Sequence, residues 1–418
     1  MKNSLFIFLF SFGFIAGQNN AVGSISWKGV KKMNINFMSE FIETKENESL
    51  DSLKLKNDVA ALTRLNGVSN VTYIVTKSTD ETYNVTYILI ENWSVLPNLQ
   101  LWTTDEAEAA YRVGIFDYNF LGRNNTVGGY YQSNGIPSFG VFFSAPFLFS
   151  ANFGIESSFQ KLASIEPIFI NAIPARYEYT NTGVELLGVY RLNYRNSVKF
   201  GATVFSEKYQ YRSGSTAENV PQYLEVDKVM IKSNYFFDNL KYDFYLVNGF
   251  RSSFFGQYVL SSNAFQNEFM IAWNDLSYFK RIGKTGNWAS RLRLGLSSND
   301  ETPFAPFSLD NNLNIRGVGN IIDRGTGVVV FNTEYRNTIY EKKWFVVQGN
   351  AFIDSGSWRQ PGGNFSDFID SNNLRIYPGI GLRFIHKTIF NATFRIDYGY
   401  GITRNASNGI VFGIGQYF

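Results

Sequence analysis

The chain has 418 residues, a formal net charge of +3 and only 17% charged residues. That balance gives no electrostatic case for nucleic acid as a partner. A chain without cysteine can form no disulfide, iron–sulfur cluster or thiol nucleophile.

The start carries Lys2, an apolar run from Leu5 to Ile15, and the small residues Ala16 and Gly17. This predicts a secretory signal peptide over 1–17, cleaved after Ala16 or Gly17. The competing reading, a membrane anchor, needs a longer apolar core. Residues 22–95 read as a small α+β unit. A strand at Ile25–Lys28 precedes helices at Asn34–Glu43 and Asp51–Leu65 and strands at Val71–Thr76 and Tyr83–Ile90. In the second helix Leu53, Leu55, Val59, Leu62 and Leu65 fall near one face. Asp51 suits its N-cap, and Asn66-Gly67 ends it. A plug or sensor domain of another kind would show the same order. Residues 96–109, with Pro97, read as a linker.

No later run of about eighteen apolar residues occurs, so no transmembrane helix is expected. Forty Phe, 25 Tyr and 36 Gly with a mean hydropathy of -0.15 instead fit alternating strands, whose apolar and polar positions cancel. In Phe345–Asp354, Gln348, Asn350, Phe352 and Asp354 share one face, while Val347, Ala351 and Ile353 share the other. Ser290–Ser297 places Leu292, Leu294 and Leu296 opposite Arg291 and Arg293. Phe394–Ile402 alternates aromatic and aliphatic residues with Arg395, Asp397 and glycines. A wall apolar outside and ionic inside predicts a transmembrane antiparallel β-barrel over 110–418. At roughly nine to eleven residues per strand, an even count in the mid-teens fits. Tyr111–Phe120 and Gly409–Phe418 are expected to close it through a weak seam, because Gly114, Gly413 and Gly415 loosen pairing. Asp300–Asn314 and Ser357–Asn373 read as long loops. One histidine, His386, and the lack of a Gly-x-Ser-x-Gly elbow, metal-spaced His/Cys cluster or phosphate loop point to no enzyme and no cofactor.

The ordered series Leu313-Asn-Ile-Arg-Gly-Val-Gly319, Glu334-Tyr-Arg336, Phe352-Ile-Asp-Ser-Gly356, Gly379-Ile-Gly-Leu-Arg383 and Arg395-Ile-Asp-Tyr-Gly399 resembles the barrel motifs of the BamA and two-partner-secretion transporter superfamily, the bacterial surface antigen family. The resemblance covers residues 308 to 418. Val318 departs from it, standing where the family has an aromatic. Trp27-Lys-Gly29 and Leu65-Asn-Gly-Val68 resemble the turns of a POTRA domain, the periplasmic module of the same superfamily. The resemblance implies about sixteen strands in a Gram-negative-type outer membrane, with one POTRA-like unit in the periplasm. It implies a loop folded into the lumen, where Arg316 and Gly317 are locked by Asp354, with Phe352 and Gly356 on the receiving strand and Glu334 and Asp397 as further acceptors. An unpaired buried charge would be costly, so the arginine needs such partners. Phe418 resembles a terminal sorting signal. The implied function is insertion, assembly or translocation of polypeptides. The implied partners are unfolded or partly folded outer-membrane or secreted polypeptides, outer-membrane lipid and periplasmic accessory proteins. One POTRA-like unit departs from the several of the central insertase and the two of the secretion transporters. A passive or gated channel, or an accessory scaffold, is the alternative on the same barrel.

Overall fold

The computed structural model describes residues 20–103, 109–170, 173–214, 221–261, 268–299, 305–310, 313–318, 323–390, 392–404 and 406–418. The signal-peptide segment 1–17 lies outside them.

The first unit holds β1 (Val22–Lys28), α1 (Ile35–Phe41), α2 (Ser52–Leu62), β2 (Val68–Lys77) and β3 (Tyr83–Glu91). Asn34 and Asp51 cap the two helices, accepting from the Phe37 and Leu53 amides and so satisfying orphan N–H groups of the first turn. The sheet order is β1-β3-β2, with β1 parallel and β2 antiparallel to β3. The helices bury Met38, Phe41, Leu55 and Leu62 against Val71, Val85 and Tyr87. Leu53, expected on the packed face, is exposed instead, and Asp58 takes a buried place. Its carboxylate accepts from the Glu43 amide (2.6 Å), the Thr44 amide (3.2 Å) and the Tyr87 hydroxyl (2.7 Å). Burial pushes the Tyr87 hydroxyl up, keeping it a donor.

The second body begins with β4 (Val95–Thr103), β5 (Ala109–Phe120), β6 (Asn125–Ser133), β7 (Pro137–Ser150), β8 (Phe153–Ile170), β9 (Ile173–Arg191), β10 (Asn196–Gly214) and β11 (Tyr223–Asp238). It continues with the short β12 (Lys241–Asp243), then β13 (Leu246–Ser261), β14 (Phe269–Ile282) and β15 (Gly286–Ser297). A loop with the short pair β16 (Phe307–Leu309) and β17 (Asp323–Gly325) precedes β18 (Gly327–Glu341), β19 (Phe345–Arg359), β20 (Leu374–His386), β21 (Thr393–Tyr400) and β22 (Asn408–Ile414). The sixteen long strands form an antiparallel barrel in chain order, and β22 meets β4. Outward positions such as Leu186, Phe200, Val204, Ile353, Ile380 and Ile410 are exposed and apolar, while Glu207, Lys228, Glu334 and Asp354 are buried inside. That is the inverse of a soluble protein and suits lipid around the wall. Among the described residues, no helix is long and apolar enough to cross a membrane.

Two expectations are corrected. Residues 96–103 are not linker but most of β4, paired with β5 from Val95–Asp117 to Thr103–Ala109; residues 104–108 lie outside the described residues. Pro97 reads as a breaker because it cannot donate to a ladder, yet proline is tolerated in a strand with an incompletely paired side, and β4 is the closing strand. In consequence Tyr111–Phe120 belongs to the second barrel strand, and the seam runs between β4 and β22. Around that seam the wall is short: β22 has 7 residues and β21 has 8, against 19 each in β9 and β10.

The small unit sits across one mouth of the barrel. Arg64, after α2, donates to the carbonyls of Tyr194 (3.1 Å), Asp238 (3.0 Å) and Leu240 (2.9 Å) on two barrel turns. Asn66 donates its backbone N–H to Asn124 Oδ1 (2.6 Å) and its Nδ2 to the Tyr118 carbonyl (3.2 Å). Ser69 Oγ donates to the Lys387 carbonyl (2.7 Å). A cavity of about 590 Å³ remains between unit and mouth, with Arg64, Tyr245, Arg336 and Phe418 on its walls.

Candidate functional site

The loop between β15 and β18 folds back into the lumen. Leu309, Ile315 and Val318 wedge against Val328, Val330, Trp358 and Tyr377, so apolar burial holds the loop inside. Asp310 shapes the turn: its side chain accepts from the Leu313 amide (2.8 Å), and its carbonyl accepts from the Asn314 and Ile315 amides. The wall grips this turn as well. Asn332 Nδ2 donates to the Asn314 carbonyl (2.8 Å), and Arg293, itself paired with Asp275 at 2.6 Å, donates to Asn314 Oδ1 (3.0 Å). At the tip, Gly317 has φ +99, and a Cβ there would lie 2.6 Å from the Gly399 carbonyl oxygen. A side chain would therefore be both strained and crowded.

This delivers Arg316, which is 0% exposed. Its Nε and Nη2 donate to the two oxygens of Asp354 (2.8 and 2.9 Å), its backbone N–H donates to Asp354 Oδ2 (3.0 Å), and Nη1 donates to Glu334 (2.5 Å). Asp397 lies 3.7 Å from Nη1. The fork is thus bidentate on Asp354, which fixes orientation as well as charge. Its flat face lies 3.6 Å from the Phe352 ring centroid and 4.4 Å from that of Tyr417. Around this pair Arg336 holds Glu334, Arg383 holds Asp397 (2.7 Å) and Arg395 reaches Asp397 (3.3 Å). Four guanidiniums therefore meet three carboxylates in one buried cluster.

The structure brings together Arg316, Gly317, Glu334, Phe352, Asp354 and Asp397. Gly356 lines the same place from the tip's apolar side, where Ile315 and Leu309 occupy the space of a Cβ. Gly319 lies outside the described residues. Gly114 does not join the seam; it lies on β5 between Asn98 and Tyr130. Gly413 is on β22 opposite Arg395, whose guanidinium fills the space its side chain would need. The expected final strand Gly409–Phe418 is shorter than its range: β22 stops at Ile414, and Gly415, at φ +91, turns the chain inward. Tyr417 is buried in the lumen, and Phe418 is set beside Arg291 and Arg336 rather than on the wall. The role of Tyr417 is not visible in the sequence, where a glycine followed by aromatics continues the strand pattern. His386 ends β20 and its ring lies tilted against Trp344, with centroids 5.2 Å apart.

No family model and no curated protein matches the chain. Its fold does match solved structures. BamA from Haemophilus ducreyi lacking POTRA domains 1–3 aligns at a TM-score of 0.55 and 15% identity, over 95% of this chain and 84% of that one. CdiB from Acinetobacter baumannii aligns at 0.58 and 12% identity, over 96% and 74%. CdiB from Escherichia coli aligns at 0.61 and 11% identity, over 94% and 76%. The chain therefore shares the barrel fold of BamA and CdiB. The likeness of these three structures is one of architecture, at identities too low to carry a role for any residue.

Proposed function

We propose that this chain is an outer-membrane barrel that assists the insertion, assembly or translocation of polypeptides. The observation that carries the proposal is the loop tip whose Arg316 is clamped inside a barrel of this fold, since a passive pore gains nothing from a buried ion cluster filling its lumen. In this reading residues 1–17 direct export, and the barrel spans the outer membrane. The small unit is a POTRA-like domain on the periplasmic side. The structural likeness extends over more of the chain than the barrel alone, which supports that assignment. The unit receives clients by adding a strand at a sheet edge; β1 and β2 are the edges of its sheet. The seam between β4 and β22 opens laterally and presents unpaired edges to a client strand. Seven residues in β22 make that seam the weak line of the wall. The tip is a lock that keeps the lumen in its resting state. Partners are unfolded or partly folded outer-membrane or secreted polypeptides, membrane lipid and periplasmic accessory proteins. No nucleotide motif is present, so the client's own folding drives the work.

The test is depletion of the protein followed by a quantitative census of outer-membrane and secreted proteins. Loss of a defined set of clients is expected. An unchanged census, together with steady conductance of the purified protein in a bilayer, would favour the passive channel and overturn the proposal.

A further inference from the structure

The tip is fastened to one hairpin of the wall, β21–β22, at three levels. At the loop end Ser407 Oγ donates to the Val318 carbonyl (2.6 Å). In the middle, the tip backbone passes so close to Gly399 that a Cβ on Gly399 would lie 2.2 Å from the Arg316 carbonyl oxygen. At the small-unit end, the chain leaves β22 through Gly415 and places Tyr417 over the Arg316 guanidinium. Phe352 and Tyr417 each lie over that guanidinium, at 3.6 and 4.4 Å. Tyr417 also lies 4.9 Å from Arg395, on the same hairpin, and 5.7 Å from Arg291, which donates to the Leu313 carbonyl of the tip.

We infer that Tyr417 is a positioning residue that couples the seam to the lock: the aromatic ring following the last strand completes the cage around Arg316, so that β22 and the loop tip are released together. The inference rests on reading Arg316 as a lock and adds the element that senses or triggers its release. A guanidinium is weakly hydrated and stacks well on an aromatic face. When β22 peels from β4, Gly415 moves with it and withdraws the ring. Arg316 then keeps its carboxylates but loses one wall of its cage. By reciprocity, loss of the arginine loosens the segment that Tyr417 anchors.

The chain has no native cysteine, so a single Val318→Cys reports tip release through its reaction with a membrane-impermeant maleimide. Val318 is buried at the tip. In that background Arg316→Ala should speed labelling. Tyr417→Ala should speed it on the order of tenfold, the scale of a desolvated cation–π contact. Tyr417→Phe keeps the ring and should label more slowly than Tyr417→Ala. Tyr417→Leu keeps much of the volume without the π face and should label fast, with folding checked by heat-modifiable mobility. Hydrogen exchange of the β22 amides should rise in Arg316→Ala. If Arg316→Ala labels fast while both Tyr417→Ala and Tyr417→Leu label at the parent rate, the coupling is wrong and the lock reading survives. If Arg316→Ala itself labels at the parent rate, the lock reading fails as well.

Discussion

Removing either partner of the Arg316–Asp354 pair should be costly, and the two costs should differ. Both side chains are fully buried, and breaking such a pair typically costs about 3–5 kcal/mol because the survivor is stranded. The surroundings decide which loss is worse. Four arginines (316, 336, 383 and 395) face three carboxylates (Glu334, Asp354 and Asp397). Arg316→Ala leaves three against three, with Arg336 and Arg383 still on Glu334, so a cost of about 3 kcal/mol or less is expected. Asp354→Ala leaves four against two. It also strands the Arg316 backbone N–H, which gives about 5 kcal/mol. The double variant should cost clearly less than the sum of the two single variants, a coupling of at least about 1 kcal/mol. Urea unfolding of the barrel in lipid vesicles, followed by tryptophan fluorescence, measures all four corners of the cycle. Additivity within about 0.5 kcal/mol, or Arg316→Ala costing more than Asp354→Ala, would refute this account of the cluster.

Gly399→Ala changes no charge but sets a methyl against the Arg316 carbonyl; the tip should be displaced, and fast labelling of Val318→Cys would report it, whereas parent-rate labelling would contradict the close approach. Arg64→Ala removes donors to three barrel-turn carbonyls and should loosen the small unit by about 2 kcal/mol, seen as faster proteolysis between the unit and β4. An unchanged cleavage rate would mean that other contacts hold the unit. Asp58→Ala strands the Glu43 and Thr44 amides and the Tyr87 hydroxyl, so the unit should lose about 1–3 kcal/mol; Tyr87→Phe, which leaves both amides paired, should cost less in the same thermal melt.

The barrel is legible in the sequence because its signal is local. A period of two along Phe345–Asp354 or Phe394–Tyr400 separates lipid-facing from inward residues without any knowledge of partners. The tip is legible through the order of Arg316, Glu334, Asp354 and Asp397 along the chain, although nothing in their spacing specifies which atoms meet. Other features are long-range. Pro97 hides β4, because a breaker next to polar residues looks the same in a linker and in a closing strand. Gly415 hides the inward turn, because a glycine in a strand and a glycine at positive φ are the same letter. Asp58 hides in an amphipathic helix, where an acidic residue ordinarily faces water. Gly399 reads as an inner-wall residue, and only the folded tip reveals that its missing side chain makes room for the Arg316 carbonyl.

The central claim is that polypeptide passes along or into this barrel at the β4–β22 seam. A photo-crosslinking residue placed at outward positions tests it directly: Leu99 on β4 and Ile410 on β22, with Phe200 and Val204 on β10 as controls, all exposed on the outer face. Crosslinks to other polypeptides at Leu99 and Ile410, absent at Phe200 and Val204, are the predicted result. Equal crosslinking at all four positions, or none to protein at the two seam positions, would contradict it.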